Sequence, residues 1–307
     1  MAGERTEVEV DGRTLSLSNL DKVLYPESDL GPAVTKREVV DYYGAIAPTM
    51  LPHLDGRCIT LKRFPDGVEG EGFFEKRCPK HRPDWVEVAT GPGDRRGGVD
   101  YCLLEEPAAL VWTANLGAIE LHVPMARAAD LETPEAVVFD LDPGAPATIV
   151  ECCQIALLIR PVLAEVGLEA WAKTSGSKGL QLYVPLHTPA SHEAASNLAH
   201  AVGQLLARRH PDRVVTNMAK VERPGKIFVD WSQNARHKTT IGVYSMRARA
   251  RPWISTPITW DEVAAGADGD LDLRFEPADV LARIDEHGDL FEGVLTTEQR
   301  LPTPRGG

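Results

Sequence analysis

The chain has 307 residues, of which 43% are hydrophobic and 25% charged, values ordinary for a soluble globular protein with one large or two medium domains. Its formal net charge of −12 excludes indiscriminate binding to nucleic acid, though a local basic groove is compatible with it. The opening M-A-G-E-R-T-E lacks the apolar core of a signal peptide and no stretch approaches transmembrane length, so a cytoplasmic location with no membrane contact is expected.

In chain order, a short polar lead precedes L-S-L-S-N-L-D-K-V-L-Y-P at 15–26 and a loop. Thr35 and Glu38 then fit a capping box that opens a helix through Val39, Val40, Tyr43 and Ile46. Lys22 and Lys36 flank that loop and helix start, a place suited to gripping phosphate, or equally to two solvated lysines. The stretch C-I-T-L-K-R-F at 58–64 alternates like a strand, and a glycine-rich turn over 67–72 leads to Phe73 and Phe74. Adjacent strand residues face opposite sides, so one ring is expected in the core and the other exposed beside Lys62 and Arg63, as a platform for a base. Core packing of both rings stays open.

A flexible loop is expected over 91–98, then a helix-like run from 110 leading to a short strand with Glu120 and His122. A histidine there is structural unless other polar groups converge on it. Cys58, Cys78, Cys102, Cys152 and Cys153 are odd in number, and Cys78 with His81 has the spacing of half a zinc site whose second half is missing. Reduced thiols are the expectation.

The stretch V-V-F-D-L-D-P at 137–143 reads as a buried strand ending at a proline and glycine. Side chains two apart share a face, so Asp140 and Asp142 place two carboxylates side by side. Such a pair suits a hard divalent cation, Mg²⁺ or Mn²⁺; an exposed strand end with two solvated aspartates is the alternative. A helix over 147–166 follows, with Cys152 and Cys153 inside it and Pro161 expected to kink or split it. Strands over 168–174 and 180–186 flank T-S-G-S-K-G, where two glycines permit backbone amides to aim at an anion and Ser175 and Lys178 add donors and charge. A plain hairpin turn also accounts for that loop.

A second helix over 191–209 carries Ala194, Leu198, Ala201 and Leu205 on one stripe. The strand I-F-V-D-W at 227–231 delivers a third carboxylate, Asp230, which a two-metal phosphoryl-transfer site would use. Basic residues concentrate just after it, from Arg236 to Lys238 and from Arg247 to Arg251, suited to a triphosphate or a nucleic-acid backbone. A C-terminal helix starts near Trp260, an acidic loop leads into 275–290, and the end is expected to be disordered.

The succession D-L-D-P, S-G-S-K-G-L-x-L-Y-V-P-L, V-D-W-S-Q-N-x-R-x-K-T and Y-S-x-R-A-R resembles the polymerase domain of bacterial ligase D, within the archaeo-eukaryotic primase superfamily, from about residue 15 to 290. The resemblance implies an α/β fold with a primase-type catalytic core of mixed β-sheets flanked by helices. It implies an N-terminal part over 1–134 with 5′-phosphate and nucleotide contacts, a catalytic core and C-terminal helical part over 135–295, and a tail over 296–307. On the matching residues, Asp140, Asp142 and Asp230 would bind two metal ions, Mn²⁺ or Mg²⁺. Lys62, His122, Ser175, Lys178 and Arg247 would hold the incoming nucleoside triphosphate, and Phe73 or Phe74 would stack on its base or the templating pair. Lys22 and Lys36 would recognise a 5′-phosphate in gapped or broken DNA.

Where the family usually carries histidine, this chain has Gln181, which can hydrogen-bond phosphate but cannot carry charge. No ligase or nuclease module is present in the 307 residues, so a stand-alone polymerase or a cut-out domain is expected, working with end-binding and ligase proteins. The implied reaction is template-directed addition of ribo- or deoxynucleotides to a primer 3′-OH in DNA repair by end joining. A two-metal nuclease or phosphatase, and a DNA-end-binding module without turnover, are the alternatives.

Overall fold

The computed structural model describes residues 5–93 and 97–302, which form two compact units. The first comprises Met1–Pro124, Thr239–Ser255 and Phe275–Gly288. Its opening was hidden in the polar lead: Arg5–Val10 and Arg13–Ser18 pair antiparallel around Asp11 and Gly12, whose φ values are 47° and 75°. An Asp-Gly pair suits a two-residue hairpin turn that needs positive φ at both positions. Only Leu15 and Leu17 of the hairpin are buried, so the apolar alternation is too sparse to announce two strands.

The helix Lys36–Leu54 starts where the capping box placed it, with the Thr35 side chain accepting from the Glu38 N–H and the Glu38 carboxylate accepting from the Thr35 N–H at 2.7 Å. Its buried face, with Val39, Tyr43, Ile46 and Met50, packs against the helix Pro107–Asn115. Tyr43 donates its hydroxyl proton to the Ile119 carbonyl at 2.6 Å, tying the helix to a sheet. That sheet is antiparallel throughout, in the order Thr240–Ile241, Ala118–Val123, Thr60–Arg63, Phe73–Glu75.

Two expectations are corrected here. Val88–Pro92 and Gly98–Cys102 pair as a hairpin that takes in both ends of the predicted loop, while residues 94–96 of that loop lie outside the described residues. Cys78 and Cys102 form a disulfide instead of staying reduced, because the Cys78 N–H donates to the Asp100 carbonyl at 2.7 Å and so lies beside that strand. Cys58, Cys152 and Cys153 are free and buried, and burial pushes the Cys58 thiol up to about 11.

The second unit comprises Met125–Lys238, Thr256–Arg274 and Asp289–Gly307. Its sheet has six strands in the order Val214–Val215, Ile227–Asp230, Ala136–Pro143, Leu180–Pro185, Trp171–Thr174, Pro257–Ile258. Only the pair Val214–Val215 and Ile227–Asp230 is parallel, which makes the sheet mixed. The strand Ala136–Pro143 is central, with Val137, Val138, Phe139 and Leu141 completely buried. Burial of each such large apolar side chain stabilises by about 1.5–3 kcal/mol.

The helices Ile149–Ala164 and His192–Arg209 pack on this sheet. Pro161 neither splits nor ends the first of them, which runs on through Ala164, so the bond to the i−4 carbonyl that its missing N–H forfeits is borne near the helix end. In the second the buried stripe is Ala195, Ala199, Val202, Gly203 and Leu206, one residue later than the sequence stripe. Leu198 and Leu205 lie half-buried at its margin, so the bulkiest apolar residues misplace the face. Gly203 lets the helix come close: a Cβ there would sit 2.8 Å from the Thr216 side chain.

The segment expected as a tail from 296 is anchored at Gln299, whose side chain donates to the Glu169 and Pro185 carbonyls at 3.0 Å each; residues 303–307 lie outside the described residues. Among the described residues no helix is long and apolar enough to cross a membrane.

Candidate active site

In the second unit, strand register does what the sequence spacing predicts and adds a row. Asp140 is the direct partner of Asp230 on one neighbouring strand and of Gln181 on the other, and Gln181 is in turn the partner of Lys173. Direct partners in a sheet share a face, so Asp230, Asp140, Gln181 and Lys173 form one line across it, with Asp142 two residues along on the same face. The line is hydrogen-bonded at its centre. Lys173 Nζ donates to Gln181 Oε1 at 2.6 Å, and Gln181 Nε2 donates to Asp140 Oδ1 at 3.0 Å.

The electrostatics of this row are those of crowded anions. Burial pushes the Asp140 carboxyl up to about 7, and the charges of Asp142 and Asp230 push the same way against the Gln181 hydrogen bond and Lys173. Asp230 is held by the turn that follows it: its Oδ1 accepts from the Ser232 N–H at 3.1 Å and the Ser232 hydroxyl at 2.6 Å, and its Oδ2 from Gln233 Nε2 at 2.9 Å. Among the described residues no three His, Cys, Asp or Glu side chains stand where they could share a metal ion. The donor set nonetheless fits a hard divalent cation in kind, being three carboxylates of which Asp142 and Asp230 each repel Asp140, a repulsion that a cation would relieve.

Asn234 explains why Asp230 ends its strand there. After Asp230 the chain turns through the short 3₁₀ helix Trp231–Asn234, leaving Val138 without a strand partner on that side. The Asn234 amide replaces one: its Oδ1 accepts from the Val138 N–H at 2.7 Å and its Nδ2 donates to the Val138 carbonyl at 2.8 Å. Beside the row, the loop between Thr174 and Leu180 closes on itself, with the Ser175 N–H donating to the Gly179 carbonyl at 2.9 Å and the Gly179 N–H to Ser175 Oγ at 3.1 Å. Lys178 Nζ donates to the Pro143 carbonyl at 3.0 Å, at the end of the aspartate strand. A Cβ on Gly179 would lie 2.5 Å from the Leu141 carbonyl oxygen, so glycine is required for that approach.

In the first unit, polar groups do converge on His122. Glu120, only 1% exposed, accepts from His122 Nε2 at 2.9 Å and lies 3.3 Å from Arg247 Nε and 3.7 Å from Lys62 Nζ. Burial alone would raise its carboxyl, but the His122 hydrogen bond and the charges of Arg247, His122 and Lys62 outweigh burial and hold it at about 2. Burial lowers the His122 imidazole and the two neighbouring cations add to that, against the Glu120 carboxylate. Glu120 thus organises Lys62, His122 and Arg247, a role that its place on an apolar strand does not signal in the sequence.

The phenylalanine expectation is corrected: Phe73 is 43% and Phe74 60% exposed, so neither is core. They do face opposite sides, with Arg63 over Phe73 at 5.4 Å and Lys62 over Phe74 at 5.3 Å, and Phe74 meets the His122 ring edge-on at 5.2 Å. A cleft of about 700 Å³ runs along both rings and continues past Lys76, Arg77 and Lys80. Of the basic run, Arg251 is withdrawn from any ligand: it is 4% exposed and paired with Glu276 at 2.7 Å.

Lys22 and Lys36 come together in the first unit, the Lys36 N–H donating to the Lys22 carbonyl at 2.8 Å. Lys22 is half-buried and paired with Asp66 at 2.8 Å, whereas Lys36 is 6% exposed and donates Nζ to the Ser18 carbonyl at 2.6 Å. Burial, Lys22 and Arg63 lower the Lys36 ammonium to about 8. A cleft of about 510 Å³ opens beside them, lined by Asn19, Lys22 and Arg37 among others.

The fold and these two constellations define a class: an α/β protein of the primase-polymerase type. Residues 35–291 match the family described as LigD, primase-polymerase domain, and the chain belongs to that family. It is 45% identical over 278 residues to the multifunctional non-homologous end joining protein LigD of Mycolicibacterium smegmatis, covering 90% of this chain and 35% of that protein. To the bifunctional LigD of Bacillus subtilis it is 28% identical over 289 residues, 94% of this chain and 45% of that protein. The chain thus spans about a third of the length of the first relative. The solved polymerase domain of Mycobacterium tuberculosis ligase D in complex with DNA superposes with a TM-score of 0.84 and 39% identity, over 93% of this chain and 99% of that one.

Proposed function

We propose that the chain is a template-directed nucleotidyltransferase that extends a primer 3′-OH at gaps or breaks in DNA, in repair by end joining. The observation that carries this is the row of Asp230, Asp140 and Gln181 with Asp142 alongside, in a family whose solved member binds DNA. Asp140, Asp142 and Asp230 would hold Mn²⁺ or Mg²⁺, which when bound supplies a lowered pKa for the attacking hydroxyl and neutralises charge on the leaving pyrophosphate.

The chain's own groups do the positioning. Lys62 and Arg247, held in place by Glu120, give a triphosphate two fixed cations, and His122 adds a hydrogen-bonding nitrogen of defined orientation. Ser175 and Lys178, in a self-closed loop, offer a hydroxyl and an ammonium beside the aspartate strand. The exposed Phe73 and Phe74 rings provide stacking surfaces for bases. Lys22 and Lys36 take a 5′-phosphate, an anion that would raise the lowered Lys36 ammonium back towards its ordinary value.

The test is primer extension across a short gap with and without a 5′-phosphate, using ribo- and deoxynucleotides and either metal. Templated incorporation, slowed at least tenfold by removal of the 5′-phosphate or by Lys22→Ala, is expected. Binding of the gapped DNA with no incorporation in either metal would make the chain an end-binding module; release of nucleotides from the primer without triphosphate would make it a nuclease.

A further inference from the structure

Lys173 is completely buried in the strand Trp171–Thr174, and neither the proposed chemistry nor the sequence motifs use it. A buried ammonium is costly unless something in the fold needs it. Its bond to Gln181 Oε1 at 2.6 Å has a directional consequence. An amide has an accepting end and a donating end, so an ammonium on Oε1 forces Nε2 outward, and Nε2 donates to Asp140 Oδ1 at 3.0 Å. Register fixes the same order, since Lys173, Gln181 and Asp140 are successive direct partners on three adjacent strands. Without Lys173 the amide could flip and present its oxygen to the carboxylate.

We propose that Lys173 and Gln181 form a positioning relay that fixes the Asp140 carboxylate through Oδ1 and leaves its other oxygen to a divalent cation. The inference rests on the metal-site reading above and deepens it. Lys173 acts on Asp140 through the amide. Its own charge would by itself oppose a cation, so the two effects of removing it have opposite signs. Glutamine is suited to this relay because its two ends serve the ammonium and the carboxylate at once, without titrating.

The experiment is Mn²⁺ binding to the full chain, read by the electron paramagnetic resonance of free Mn²⁺, for Lys173→Met, Gln181→Leu and the double variant. Thermal unfolding in the absence of metal identifies variants that fail to fold, and Gln181→Leu, a near-isosteric change, serves if Lys173→Met fails. Each single change is expected to weaken Mn²⁺ binding at least tenfold, the scale on which outer ligand-orienting groups act. The double change should weaken it no further than the weaker single variant, because both break one chain. Affinities within twofold of the parent, or tighter binding in Lys173→Met, would overturn the relay while Asp140→Ala still abolished binding. If Asp140→Ala and Asp230→Ala also bound Mn²⁺ like the parent, the metal-site reading itself would fall, a distinct result.

Discussion

Two acidic residues, Glu120 in the first unit and Asp140 in the second, are driven in opposite directions by their neighbours. Burial works against ionisation of both, yet at Glu120 the His122, Arg247 and Lys62 groups outweigh it and hold the carboxyl at about 2, while at Asp140 burial pushes the carboxyl to about 7 and Asp142 and Asp230 add to it. One carboxylate completes its surroundings and the other is left wanting a cation. The difference separates an anion that fixes the cations around it from one that its surroundings leave unsatisfied, which is the pattern expected where stability is given up to a site.

The largest effect is expected at Glu120. Glu120→Ala leaves Lys62 and Arg247 without their shared carboxylate, and unfolding by denaturant should show a loss of about 3–5 kcal/mol. The acid limb of stability should report the same group. Its folded value of about 2 lies below the ordinary 4.5, so its contribution is present above pH 4.5 and lost as pH falls to about 2. That contribution is of the order of 3 kcal/mol and should be missing from the pH profile of Glu120→Gln.

Asp140 should behave with reversed sign. Its folded value of about 7 exceeds the ordinary 3.8, so the metal-free protein binds the extra proton between those values and loses stability as pH rises through that window. Asp140→Asn removes the repulsion and should stabilise the metal-free protein at pH 8 by about 1–3 kcal/mol, with no gain at pH 3. A smaller effect is expected at the first helix, where Thr35→Ala should cost about 1 kcal/mol through the lost cap, in either pH range.

Much of this was legible in the chain. The capping box at Thr35 and Glu38, the strand bearing Asp140 and Asp142, and the third strand ending at Asp230 all follow from local pattern. What local pattern cannot carry is register between distant strands. Nothing near Lys173 says that it faces Gln181, or that Gln181 faces Asp140, since those pairings are set by the sheet. Asn234 and Glu120 are silent for a related reason: a buried polar residue is explained by its partners, and Val138, Arg247 and Lys62 lie far away in sequence. The exposed Phe73 and Phe74 mislead in the opposite way, because hydrophobicity alone assigns at least one ring to a core.

The most direct measurement is made on one variant. Purified Asp140→Asn should be compared with the parent at pH 8 for thermal unfolding without metal and for pyrophosphate release from nucleoside triphosphates on a primer-template with Mn²⁺. The expected result is a protein that melts higher yet releases pyrophosphate at least a thousandfold more slowly, with release by the parent dependent on the primer. A variant that melts lower than the parent and still releases pyrophosphate at a comparable rate would contradict the claim that Asp140 is an anion kept at a cost for catalysis.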